Sequence, residues 1–132
     1  MTIVVDTSAL ACVVFGEPEA DRVVQQLADH PVLIPAPTLV ETLIVTEARL
    51  GVDGPREVQE LLEATGAAIE PFTHTLAARA HAGWRRFGKG RHPAALNLGD
   101  CYAYATAVAL DLPLLALGED FPKTDVTPVP IS

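Results

Sequence analysis

The amino-acid sequence predicts an α/β domain, a mainly parallel, twisted sheet flanked by helices in three layers. Two observations carry this. Short apolar runs rich in β-branched residues alternate with amphipathic helical patterns along the chain, the order that builds parallel sheets through helical crossovers. The first run, TIVV, is apolar throughout rather than alternating, as a strand covered on both faces is. The 132 residues, 49% hydrophobic with mean hydropathy +0.28, suffice for one core and one domain spanning 1–132.

The elements follow in order. Residues 2–5 (TIVV) form the first strand, and SALACVVF (8–15) a short helix ended by Gly16. Glu17 and Pro18 start the next helix, PEADRVVQQLADH, with Val23, Val24 and Leu27 at core-facing spacing, and PVLIP (31–35) is the second strand. Thr38 to Leu50 reads as a helix whose apolar positions Val40, Leu43 and Ile44 share a face, stopped by Gly51. PREVQELLEATG is a helix with Val58, Leu61 and Leu62 inward, and AAIEPF a weak strand. From Thr73 a helix carries Leu76, Ala80, Trp84 and Phe87 at spacings of 4, 4 and 3 until Gly88. GKGRHPAALN is a loop, GDCYAYATAVAL a helix, LPLLAL a strand and GEDFPKTD a loop. VTPVP is placed as a last edge strand, where proline is tolerable.

Composition narrows the function classes. The net charge of −8 and pI near 4.8 disfavour a protein that coats nucleic acid through a broadly basic face. Yet four of the nine Lys and Arg fall in RRFGKGR, as Arg85, Arg86, Lys89 and Arg91. This segment reads either as a solvated helix end that complements the dipole or as an anion-binding loop. The longest uncharged stretch, His30 to Val40, is too short for a membrane span and is broken by three prolines. No basic leader precedes the first apolar run, so a cytoplasmic protein is expected. Cys12 and Cys101, without a CxxC partner, read as reduced packing thiols.

Four acids stand in unusual places, and each has an innocent reading. Asp6 ends the first strand and could cap the following helix. Glu41 with Thr38 forms TLVE, the pattern of a capping box. Asp100 follows Asn97 by three residues in NLGD, so Asn97 could be an N-cap, and Asp120 could be a plain loop acid. Their joint placement points elsewhere. Crossover helices run antiparallel to the strands, so helix N-termini and strand carboxyl ends share one rim, where open α/β sheets bind ligands. All four acids project toward that rim. Clustered carboxylates repel unless a cation compensates, and hard oxygen ligands suit Mg²⁺ or Mn²⁺. Zinc fits less well, because His30, His74, His81 and His92 are scattered, with His74 and His81 expected on the surface. No GxGxxG, P-loop or GxSxG pattern is present.

With VVDTSAL at the start, TLVET on the third helix, LNLGDCYAYATA after the basic loop and GEDFPKTD after the last buried strand, the chain resembles the VapC-type PIN-domain ribonucleases, toxins of VapBC toxin–antitoxin systems. The resemblance runs nearly the whole length. It implies a PIN-like fold, Asp6 and Asp100 as principal Mg²⁺ ligands, and Glu41 and Asp120 completing the acidic pocket and orienting the attacking water. The family's fourth acid is carried onto Asp120, with Glu119 and Asp125 as substitutes, because this segment has less Thr and Asp before Phe121 than the commoner PIN ending. Ser8 and Asn97 match small polar positions near the family's pocket, or simply cap helix starts. A homodimer and a cognate VapB antitoxin are implied as partners.

The expected function is therefore a Mg²⁺-dependent endoribonuclease, with Arg85, Arg86, Lys89 and Arg91 holding the RNA backbone. Two alternatives use the same residues differently: a catalytically inert protein-interaction module with its acids as caps, and a nuclease acting on DNA.

Overall fold

A computed structural model describes residues 1–131. The chain forms β1 (Ile3–Val5), α1 (Thr7–Phe15), α2 (Ala20–Asp29), β2 (Val32–Pro35), α3 (Ala36–Leu50), α4 (Asp53–Thr65), β3 (Ala68–Glu70), α5 (His74–Phe87), α6 (Leu98–Leu110) and β4 (Leu114–Leu115), then a 3-10 turn at Phe121–Lys123. The strands make one sheet in the order β3-β2-β1-β4, and every pair is parallel, with Ile3 opposite Val32, Val4 opposite Leu114 and Leu33 opposite Ala68. No described helix is long and apolar enough to cross a membrane.

The first strand shows why TIVV is continuously apolar. Ile3, Val4 and Val5 are fully buried, but successive side chains leave a strand on opposite faces. Ile3 and Val5 join a core with Leu10, Val23, Ile34 and Val58 from α1, α2, β2 and α4. Val4 joins a second core with Phe87, Leu96, Cys101 and Tyr104 on the α5 and α6 side. Three layers result, with β1 at their centre. Cys12 and Cys101 are buried free thiols in different cores, as packing residues should be, and His74 and His81 are exposed.

Helix α3 departs most from the pattern of its apolar residues. Val40 is 55% and Ile44 63% exposed, whereas Thr38, Thr42 and Thr46 are completely buried. A threonine can face inward where its hydroxyl finds an acceptor on the helix itself, as two of these three do. Thr42 donates to the Thr38 carbonyl at 2.8 Å and Thr46 to that of Thr42, also at 2.8 Å. The helix also starts earlier than its TLVE segment suggests. Pro35 is the N-cap and Pro37 lies in the first turn, where its missing N–H costs nothing. Thr38 is therefore not a cap, TLVE is not a capping box, and Glu41 stands in the second turn rather than the first.

A glycine on α4, Gly54, lets that helix approach α3 closely. A Cβ built on Gly54 would overlap the backbone carbonyl of Thr46, which cannot move aside as a side-chain tip could. We expect Gly54→Ala to lower stability by about 1–3 kcal/mol, as overfilling a close contact does. Urea unfolding of the two proteins measures it.

The edges are shorter than their sequence segments suggest. LPLLAL contributes only Leu114–Leu115 to the ladder, and VTPVP forms a single parallel bridge, Pro128 opposite Leu114, instead of a strand. Proline supplies no N–H for a longer ladder, so the neighbouring Thr127 carbonyl and Val129 N–H make the bonds to Leu114. GEDFPKTD is not wholly loop, since its 3-10 turn buries Phe121. Trp84 stays 37% exposed, and α5 faces the core with Leu76, Ala80, Gly83 and Phe87.

Candidate active site

The carboxyl rim of the sheet gathers the acids. Asp6 leaves β1 with extended backbone and caps α1, its Oδ2 accepting from the Ser8 N–H at 3.1 Å and the Ser8 hydroxyl at 2.8 Å. The Ser8 oxygen in turn accepts from the Leu117 N–H at 2.9 Å, tying the start of α1 to the chain beyond β4. Asp6 is only 3% exposed, and its other oxygen, Oδ1, is buried without a hydrogen-bond partner. Burial pushes the Asp6 carboxyl up to about 7; the two Ser8 bonds oppose the rise, and the charges of Asp100 and Glu41 add to it.

Asp100 sits in the first turn of α6. Its backbone N–H donates to the Asn97 side chain at 2.8 Å, and its carboxylate accepts from the Asn97 N–H at 3.0 Å, a complete capping box. Its pKa is raised, first by burial and then by the charges of Asp120 and Glu41, against the Asn97 bond. Glu41 reaches the same place from α3. Its Oε1 accepts from the Thr7 hydroxyl at 2.5 Å, and its carboxylate lies against Gly99. Asp120 is exposed at the head of the 3-10 turn. The four acids thus share one electrostatic field, in which Asp6 is buried, Glu41 and Asp100 are half-buried and Asp120 is exposed.

The alternatives for the fourth acid differ in surroundings. Glu119 is exposed beside Asp120. Asp125 is committed elsewhere, accepting from the Tyr104 hydroxyl at 2.7 Å and from Arg86 at 3.2 Å. That tie fastens the C-terminal segment to α5 and α6.

Among the described residues, no three His, Cys, Asp or Glu side chains converge tightly enough to cage a metal unaided. Asp100 is turned onto Asn97 and Glu41 onto Thr7. The donor chemistry nevertheless fits a hard divalent cation. Carboxylates from β1's end, α3 and α6 lie close enough to perturb one another, and the partnerless Oδ1 of Asp6 is the kind of buried acceptor that a cation satisfies.

The basic loop runs from the end of α5 to the Asn97 cap of α6 and is pinned by the paired Gly88 and Leu96. Arg85, in the last turn of α5, and Lys89, on the loop, are exposed. Arg91 lies over the Trp84 ring at 4.4 Å, and Arg86 lies over Phe87 at 4.6 Å while it holds Asp125. The loop that carries Lys89 and Arg91 leads directly into the start of α6. Thr7 and Gly99, the neighbours of Glu41, are additions that sequence patterns did not single out. Each stands one position from an acid, after Asp6 and before Asp100, which is the only signal that could have pointed to them.

Residues 3–126 match the family model described as the PIN domain. The chain belongs to the PIN-domain family. Within it, this PIN domain is 45% identical over 126 residues to Ribonuclease VapC36 of Mycobacterium tuberculosis, covering 94% of this chain and 91% of the relative. It is 41% identical over 128 residues to Ribonuclease VapC of Mycolicibacterium smegmatis, covering 96% and 99%. The PIN fold itself recurs in the crystal structure of Mycobacterium tuberculosis VapC20, a sarcin-ricin loop cleaving toxin, with TM-score 0.79 and 20% identity over 96% of this chain and 98% of that one. It recurs also in VapBC-1 from nontypeable Haemophilus influenzae, with TM-score 0.71 and 17% identity over 99% and 98%.

Proposed function

We propose that this PIN domain is a Mg²⁺- or Mn²⁺-dependent endoribonuclease, the toxin of a type II toxin–antitoxin pair. The observation that carries the reading is the buried, partnerless Oδ1 of Asp6 within the field of Asp100 and Glu41. A fold does not keep such a carboxylate for stability, because burying it with like charges is costly. Relatives named as ribonucleases at 41–45% identity supply the reaction class.

Asp6 and Asp100 would hold the cation, with Glu41 and Asp120 completing the acidic pocket. When bound, the cation supplies a bound water of lowered pKa and neutralises charge on the scissile phosphate. The chain's own residues do the rest. Ser8 and Asn97 hold the Asp6 and Asp100 carboxylates in fixed rotamers through the bonds described. Glu41 and Asp120 accept hydrogen bonds from the attacking water and orient it. Arg85 from the end of α5, and Lys89 and Arg91 from the basic loop, contact RNA phosphates, and Arg86 divides its charge with Asp125. Selection of the RNA would rest on shape and unpaired loops.

The partner would be a VapB-type antitoxin, since VapBC-1 from Haemophilus influenzae is a structural relative and an arginine would pair with the acidic rim. The exposed Val40, Ile44 and Val52 are apolar surface of the kind that protein partners cover, which supports a homodimer as well.

The test is cleavage of total RNA by the purified protein. EDTA should stop it, added Mg²⁺ or Mn²⁺ should restore it, and Asp100→Asn should cut at less than about a hundredth of the parental rate. Cleavage that persists in EDTA, or in the variant at the parental rate, overturns the reading. Equal cutting of single-stranded DNA would make the protein a general nuclease.

A further inference from the structure

Glu41 is the one site acid that comes from neither a strand end nor a helix cap, so something else must fix its carboxylate. Two contacts do so, one at Oε1 and one nearest Oε2. At the first, the Thr7 hydroxyl donates to Oε1 at 2.5 Å. Thr7 is itself buried and supported from below by Thr42, whose hydroxyl lies 3.2 Å from the Thr7 oxygen. At the second, Gly99 leaves the space that the carboxylate occupies. A Cβ built there would overlap Glu41 Oε2, Cδ and Oε1 alike.

We propose that Thr7 and Gly99 are positioning residues that clamp the Glu41 carboxylate toward Asp6 and Asp100. Thr7 acts through its hydroxyl and Gly99 through the absence of a side chain. The inference rests on the reading of Glu41 as a member of the acidic site, and it adds what sets the carboxylate's place.

Changes at the two positions should fall on the site more than on the fold. The atoms that an alanine at position 99 would strike belong to the mobile end of a flexible side chain, so the backbone of α6 need not move. Gly99 also has an ordinary helical place, without the positive φ that would demand glycine by itself. At position 7, valine would keep the shape of threonine and remove only the hydroxyl. The predicted signature is therefore a damaged site in an undamaged fold. Positioning partners of metal-ligand carboxylates typically change affinity or activity by about 10- to 100-fold.

The experiment compares the parent with Thr7→Val, Thr7→Ser, Gly99→Ala, Glu41→Gln and the double variant T7V/E41Q. RNA cleavage is measured in Mn²⁺, and Mn²⁺ binding to RNA-free protein is followed by titration calorimetry. We expect T7V and G99A to weaken Mn²⁺ binding and cleavage about tenfold or more while circular dichroism stays unchanged, and T7S to recover most of the loss. In the E41Q background, T7V should change Mn²⁺ binding less than about twofold, because the group it positions is gone. T7V with parental binding and cleavage overturns the clamp, and so does a T7V loss of equal size in the E41Q background. An E41Q protein that binds Mn²⁺ and cuts RNA like the parent overturns instead the place of Glu41 in the site, an outcome distinct from failure of the clamp alone. Should G99A fail to fold, the Thr7 variants decide the matter.

Discussion

Asp6→Asn is expected to abolish RNA cleavage, on the order of 10³-fold or more, and at the same time to make the metal-free protein more stable at pH 8. The two effects have one origin. Asparagine is as good an N-cap as aspartate, so the bond from the Ser8 N–H at the start of α1 survives. The charge disappears from a site that is 3% exposed and close to two other carboxylates. A carboxyl pushed up to about 7 from an ordinary value near 4 destabilises the ionised fold by up to about 4 kcal/mol. The variant should recover part of this, raising the melting temperature in EDTA by roughly 5–15 °C. A variant that melts below the parent at pH 8 would show that Asp6 is kept for structure.

The second large effect is the pH dependence of the metal-free parent. Between about pH 4 and pH 7 the folded protein retains the Asp6 proton that the unfolded chain has released, so the native state binds more protons. Stability must therefore fall as pH rises through this window, and the raised Asp100 contributes in the same direction. This is opposite in sign to an ion-paired carboxylate. A divalent cation competes with that proton, so its stabilisation should grow as pH rises. At 100 times its dissociation constant it adds about 2.7 kcal/mol. Melting curves from pH 4.5 to 8.5, in EDTA and in Mn²⁺, test both slopes. In the difference between parent and Asp6→Asn the EDTA slope of the Asp6 site should be isolated, because groups remote from it titrate in common. A flat difference curve would remove the electrostatic basis of the proposed cation site.

Both expectations trace to a residue whose oddity is visible in the primary structure, and the other acids were not equally legible. Asp6 and Asp100 carry local marks, an acid closing an apolar β run and an acid in NLGD, and both positions hold because strand ends and caps are decided by neighbours in sequence. Glu41 carries a misleading mark. TLVE imitates a capping box, but Pro35 and Pro37 move the helix start upstream and place the acid a turn further in. Asp120 and Asp125 look alike in GEDFPKTD, and their difference lies in Tyr104 and Arg86, which meet Asp125 only after folding.

Local chemistry in the chain was enough to determine the alternation of strands and helices, the double-faced burial of β1 and the rim to which the acids belong. Each follows from short-range sterics and from the handedness of parallel crossovers. Which face of α3 turns inward was settled only by tertiary structure. Hydrophobicity favours Val40 and Ile44, but Thr38, Thr42 and Thr46 are the buried positions, and two of their hydroxyls are answered on the helix's own carbonyls. They allow α1 and α4 to come close, and that approach brings Thr7 to Glu41. A periodic pattern records how apolar a residue is, whereas burial also depends on how near its neighbours can come.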